Sequence, residues 1–275
     1  MRIARVFPSK TKWTPDDDLA YFGEPGLFRP EVDEVHVSCT FTWNIEKARR
    51  LQKSWQRFYR IVRLGGPAFG DPGGEFEPGK YLKRGMTITS RGCPRKCEFC
   101  HVPEREGELR LLEIKPGRVL QDNNILACPR DHIEKVFDML REQKQVSFQG
   151  GLDIRLLKVW HVNLFASLPS LDSMFFAYDF PLEKHLAAVG ELLHFFPRNK
   201  KRCYVLIGWR DDTPEKARER LEKVFSFGFL PFAMFYRGEG EQVKTKEWSG
   251  LQRTFARPAA TKAYMKLRYA GGHIE

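Results

Sequence analysis

The chain has 275 residues, 42% of them hydrophobic, with 46 Lys and Arg against 35 Asp and Glu and a formal charge of +11. That suits one large domain, or one domain with an appendage, around a real core, and excludes wholesale disorder. No apolar run approaches the roughly 20 residues of a membrane span, and the first residues lack the apolar centre of a secretory signal. Six cysteines are too few for a disulfide scaffold, so a cytoplasmic chain in a reducing setting is expected.

Residues 1–34 read as turn-rich, with Thr14-Pro15-Asp16-Asp17-Asp18 as a helix-start signal. Residues 34–43 (EVHVSCTFTW) alternate and predict a strand. Asn44 is placed to cap a helix over 45–59, and 60–64 is a second strand stopped by Gly65-Gly66-Pro67. The result is a small β-α-β piece within residues 1–80, ending in a Gly/Pro-rich linker over 68–80. From 81 onward, strands are expected at 86–89, 117–120, 145–148, 173–178, 202–207 and 230–236. Helices are expected at 131–143, 159–167, 183–196 and 213–227, the last opening on Thr213-Pro214-Glu215. This alternation predicts an α/β fold with a parallel sheet. Its spacing over 81–237 suits a partial (β/α)6, TIM-like barrel better than eight-fold closure. Residues 238–275 form a basic extension.

The charge surplus is spread along the chain except at one place. From 243 to 268 stand Lys244, Lys246, Arg253, Arg257, Lys262, Lys266 and Arg268 against the single acid Glu247, with Trp248, Phe255 and Tyr264 interleaved. This segment is either a solvated helix and loop or a nucleic-acid contact, with cations on phosphates and Trp248 or Phe255 stacking a base.

The sharpest motif is Thr89–His101, TSRGCPRKCEFCH, in which Cys93, Cys97 and Cys100 have a Cys-x-x-x-Cys-x-x-Cys spacing directly after a predicted strand. Thiolates are soft ligands that select zinc, copper(I) or iron–sulfur centres. Three in one loop can hold three corners of a four-iron cluster and leave one iron open. A zinc site needs a fourth protein ligand, and His101 is the nearby candidate. Cys39, Cys128 and Cys203 are isolated and expected as buried thiols.

The motif resembles the signature of the radical S-adenosylmethionine (SAM) enzymes, with Phe99 at the aromatic position before the last cysteine. The resemblance implies a [4Fe–4S] cluster on Cys93, Cys97 and Cys100, SAM chelating the open iron, and a partial barrel with the cluster loop after its first strand. It covers most of residues 85–237. Where such enzymes end their second strand in Gly-Gly-Glu, this chain has Gln121-Asp122-Asn123-Asn124. Asp122, Asn123 and Asn124 are therefore the implied contacts to the SAM amino group, or else an Asx-rich turn. Arg155, after the third strand, can fork onto the SAM carboxylate or pair with Asp153. Asp179 stands where a polar residue meets the ribose. Ile207 and Gly208 match the adenine-contacting strand, although the same run suits an ordinary core strand.

Residues 92–107 are also similar to the cobalamin-type and methylthiotransferase branches, whose N-terminal domain here looks shortened and without a second cofactor. The resemblance further implies an external flavodoxin- or ferredoxin-like electron donor. The substrate is expected to be a nucleic-acid base or nucleotide, or alternatively a peptide or small metabolite. The remaining alternative is a non-catalytic iron–sulfur or zinc protein.

Overall fold

The structure, a computed structural model, describes residues 1–71, 73–178, 183–238 and 242–269, with Glu183 by its backbone alone. The chain is α/β with parallel sheets and forms two compact units, Met1–Asn123 and Asn124–Glu275. Among the described residues no helix is long and apolar enough to cross a membrane.

The first unit opens with a four-stranded parallel sheet. Its strands are β1 (Ile3–Phe7), β2 (Ala20–Phe22), β3 (Glu34–Ser38) and, after helix α1 (Ile45–Gln56), β4 (Val62–Gly65), in the order β2-β1-β3-β4. The expected β-α-β piece is thus the right half of a larger sheet, and the turn-rich reading of 1–34 is corrected by β1 at its centre. Ala4 and Val6 of β1 are fully buried with Val35, Val37, Ala48, Leu51 and Trp55. Arg5 is nearly buried too, and its guanidinium donates to the Gly79 and Lys80 carbonyls and to Asp17.

No helix follows Thr14. Its hydroxyl accepts from Thr11 N (2.9 Å), and Asp17 accepts from Leu19 N (3.0 Å), so these residues close turns. Asn44 caps nothing with its side chain, which donates to Ser9 Oγ (2.9 Å), and a 3₁₀ turn (Thr42–Asn44) leads into α1. The strand expected to reach residue 43 stops at Ser38. Beyond it, Cys39 N donates to Gly65 O and Cys39 O accepts from Ala68 N (both 3.0 Å). The stretch 68–80 is not a free linker: a 3₁₀ turn (Pro67–Phe69) enters it, and Phe76 is buried against Ile88 and Leu112.

The same unit holds β5 (Met86–Thr87), β6 (Ser90–Arg91), α2 (Val102–Glu106), β7 (Arg110–Leu111) and β8 (Val119–Leu120). β5 pairs with β8 in parallel, and β6 pairs with β7 antiparallel.

The second unit alternates as expected: α3 (Arg130–Arg141), β9 (Val146–Asp153), α4 (Val159–Ala166), β10 (Leu171–Tyr178), α5 (Glu183–Leu192), β11 (Lys201–Ile207), α6 (Pro214–Ser226) and β12 (Leu230–Phe235). Thr213 caps α6 by accepting from Lys216 N (3.3 Å), with Pro214 at the first turn. Within this unit the strand order β12-β11-β10-β9 follows the chain. β9 runs five residues beyond the expected end. Phe148 pairs with Met174 and Leu152 with Phe176, so four steps on β9 oppose two on β10, and Gly151 takes a positive φ of 98° in the bulge. Phe137, Phe148 and Phe165 form a ring cluster with centroids 5.0–5.4 Å apart, each ring contributing about 1.5–3 kcal/mol by burial.

Two further helices end the described chain, α7 (Lys246–Ala256) and α8 (Pro258–Tyr269). Trp248 and Phe255 are 3% and 0% exposed. Trp248 stacks edgewise on Phe235 and donates to Gln242 Oε1 (3.2 Å), while Phe255 packs on Tyr264. These rings are core, so the expectation that they stack a base is corrected. Cys39, Cys128 and Cys203 are buried as expected.

Candidate functional site

The cysteine loop lies wholly in the first unit and hangs from a short stem. β6 and β7 form the stem, with Ser90 opposite Leu111 and Arg91 opposite Arg110. Leu112 N donates to Thr89 O (2.9 Å) below it, and Cys93 N donates to Gly107 O (3.3 Å) at its mouth. Gly92 has φ +78°, and a Cβ there would collide with the Glu108 carbonyl, so only glycine lets the two arms approach this closely. Beyond the stem, Cys100 N donates to Cys97 O (2.9 Å), closing a turn between two of the cysteines, and Arg95 N donates to Cys93 Sγ (3.4 Å). The short α2 returns the chain, with Arg91 and Glu106 paired across the loop at 3.4 Å.

A buried carboxylate fixes the approach to this stem. Asp122 Oδ1 accepts from Thr89 N (2.8 Å), and Asp122 Oδ2 accepts from Thr89 Oγ1 (2.7 Å) and Ser90 Oγ (2.6 Å). Asp122 is 2% exposed. Burial pushes its pKa up from 3.8 to about 6, against the opposing pull of the Ser90 and Thr89 donors. Asn123 Oδ1 accepts from Gly92 N (3.0 Å). Asp122 and Asn123 were expected to meet an ammonium group, but their oxygens are taken by the chain itself. They clamp residues 89–92, the segment that delivers Cys93. Thr89 and Ser90 carried no expectation. A Thr-x-x-x-Cys and Ser-x-x-Cys spacing after a strand is the only signal they offered.

Cys93, Cys97, Cys100 and Phe99 are all half-buried. Among the described residues no three His, Cys, Asp or Glu side chains converge as they do around an ion. The chemistry of the donor set nevertheless fits an iron–sulfur centre: three soft thiols within eight residues, on a stem fixed at both arms. Among the described residues His101 Nε2 is buried with no hydrogen-bond partner, while its Nδ1 lies 3.8 Å from Glu104.

The remaining expected residues lie in the second unit. Asn124 is 3% exposed and opens a 3₁₀ turn (Ile125–Ala127). Arg155 forks onto Asp153 through Nε (2.7 Å) and Nη2 (2.8 Å), so the ion pair is the alternative realised, with 30% of the arginine side chain still exposed. Ile207 is fully buried on the same strand face as Cys203 and Val205 and offers no surface to an adenine. Gly208 (φ +72°) lets the Phe235 ring approach where a Cβ would stand, and Gly208 N donates to Asp212, which Arg220 grips. Within the chain itself Ile207 thus serves the core and Gly208 the turn. Asp179 falls outside the described residues.

The opposite face of this sheet carries an arginine that no expectation named. Arg202 lies over Phe175 (5.0 Å) and Phe232 (5.2 Å), with Nε and Nη2 buried and without a hydrogen-bond partner among the described residues, and burial lowers its pKa. Beside it Tyr204 donates to Gln149 O (3.1 Å), and burial pushes its phenol up to about 12.

A scan against models of known families finds none that matches the chain. A search of curated proteins likewise finds no match.

Proposed function

We propose that the chain is a radical SAM enzyme, with Cys93, Cys97 and Cys100 as the three thiolates of a [4Fe–4S] cluster. One observation carries this reading. The Cys-x-x-x-Cys-x-x-Cys loop hangs from the β6–β7 stem just after β5 of a parallel α/β sheet, and a buried carboxylate clamps that stem. A partial (β/α)6 barrel is the finer architecture in keeping with it.

When bound, such a cluster supplies one electron, from an external flavodoxin- or ferredoxin-like donor, to cleave SAM to methionine and a 5′-deoxyadenosyl radical that removes hydrogen from a substrate C–H bond. The chain's own residues position and insulate. Asp122 and Asn123 immobilise the backbone before Cys93, so that the first thiol leaves from a fixed base. Gly92 lets the Glu108 arm close over that base. Phe99 adds apolar surface beside Cys100. The proposed substrate is a nucleic-acid base or nucleotide, with a peptide or small metabolite as the alternative.

A second reading rests on His101. Its buried, unpartnered Nε2 suits the fourth ligand of a zinc site on the same three thiolates.

Metal content separates the two. After anaerobic reconstitution with iron and sulfide, the full chain should hold about four irons, with the visible absorbance of a cluster. Cys97→Ala should lose both while keeping its far-ultraviolet circular dichroism. Zinc bound in preference to iron, and released by His101→Ala, would instead establish the structural site.

A further inference from the structure

We propose that the outward face of α7 and α8 binds the phosphate backbone of a nucleic acid without stacking or reading its bases. Nothing in this requires the iron–sulfur cluster, so it stands or falls apart from the radical reading.

The two helices divide their side chains by chemistry. Trp248, Leu251, Phe255, Thr261 and Met265 turn inward and are buried. Every basic residue from Lys244 to Arg268 is exposed. Helical geometry aligns them: Lys246 and Arg253 are two turns apart on one side of α7, and Lys262 and Lys266 are one turn apart on α8. Arg257 stands exposed at the junction between the helices.

Among the described residues, the acids placed against this face are already engaged. Glu247 lies 3.7 Å from Arg218 of α6. Glu222 of α6 accepts from Tyr264 (2.6 Å) and lies 3.8 Å from Arg268. Among the described residues Lys246, Arg253, Arg257, Lys262 and Lys266 have no acidic partner. Five exposed cations on adjoining helices, without an acidic partner among the described residues, form a polyanion footprint.

The buried rings decide the mode of binding. With Trp248 and Phe255 in the core, no aromatic platform exists for bases on α7, and contact falls to charge. The same division disfavours a lipid surface. Leu267 (80% exposed) and Tyr269 (36% exposed) are the large apolar side chains that α8 shows to solvent, too few for the continuous apolar face an interfacial helix buries.

The test is fluorescence anisotropy of labelled single-stranded RNA and DNA with the full chain, over about 50 to 200 mM salt. Five phosphate contacts predict a slope of log K against log salt near −3.5, or about a hundredfold loss of affinity across that range. Lys262→Gln with Lys266→Gln should make the slope shallower by about 1.4. The exposed control pair Lys47→Gln and Lys53→Gln on α1 should leave it unchanged, and so should Cys97→Ala. No binding at low salt, a salt-independent affinity, equal effects from both lysine pairs, or tighter binding to vesicles of anionic phospholipid would each overturn the proposal.

Discussion

A carboxylate with 2% of its surface exposed ordinarily needs a cation beside it, yet Asp122 is met by one amide and two hydroxyls from Thr89 and Ser90. These neutral donors do not offset burial, and its pKa stands at about 6 against an ordinary 3.8. Between those values the folded chain binds more protons than the unfolded one. The Asp122 contribution to stability is therefore greatest below about pH 4, falls as pH rises through about 6, and then levels. The total fall is on the order of 2–3 kcal/mol. Asp122→Asn removes the titration, so its urea midpoints from about pH 4 to 7 should lack that fall, narrowing or reversing any deficit against the parent chain as pH rises. Parallel profiles for the two proteins would contradict the buried-carboxylate account. Gly92 gives a second prediction on the same loop. Gly92→Ala forces a side chain into φ +78° and onto the Glu108 carbonyl, at a cost of about 1–3 kcal/mol. It should reduce iron loading at temperatures where the rest of the circular dichroism signal persists.

At the scale of elements, α7 and α8 separate packing from charge. Trp248→Ala should cost about 3–5 kcal/mol in urea unfolding, because the ring is 3% exposed and packed on Phe235. Lys262→Gln, on the exposed face, should change stability by less than about 0.5 kcal/mol. Much of the helix and strand pattern was legible in the residues themselves. Apolar runs such as Tyr204 to Ile207 mark strands, and Thr213-Pro214-Glu215 marks the start of α6 with the cap observed. Elements escaped the reading where a local signal was ambiguous. Arg5 breaks the apolar run of β1 yet is buried and paired. Gly150 and Gly151 look like a strand end but sit in a bulge. Thr14 to Asp18 carries the composition of a helix start, while its side-chain oxygens close turns. At the candidate site, the three cysteines were legible from spacing. The role of Asp122 was not, because an acid after a strand looks the same whether it faces a ligand or a buried backbone amide.

For the molecule as a whole, the charge of +11 resolves into two parts. Residues 243–268 hold seven bases and one acid and so contribute +6, leaving +5 over the rest of the chain. The proposed catalysis and the proposed nucleic-acid binding therefore rest on different residues, cysteines in one segment and exposed cations in another. The functional reading rests on the loop's thiols, their spacing and the clamp behind them. The most direct test is anaerobic incubation of the reconstituted chain with SAM and dithionite, followed by chromatography for 5′-deoxyadenosine. Radical chemistry predicts 5′-deoxyadenosine from the parent chain and none from Cys97→Ala. Its absence from a parent chain carrying about four irons would contradict the assignment.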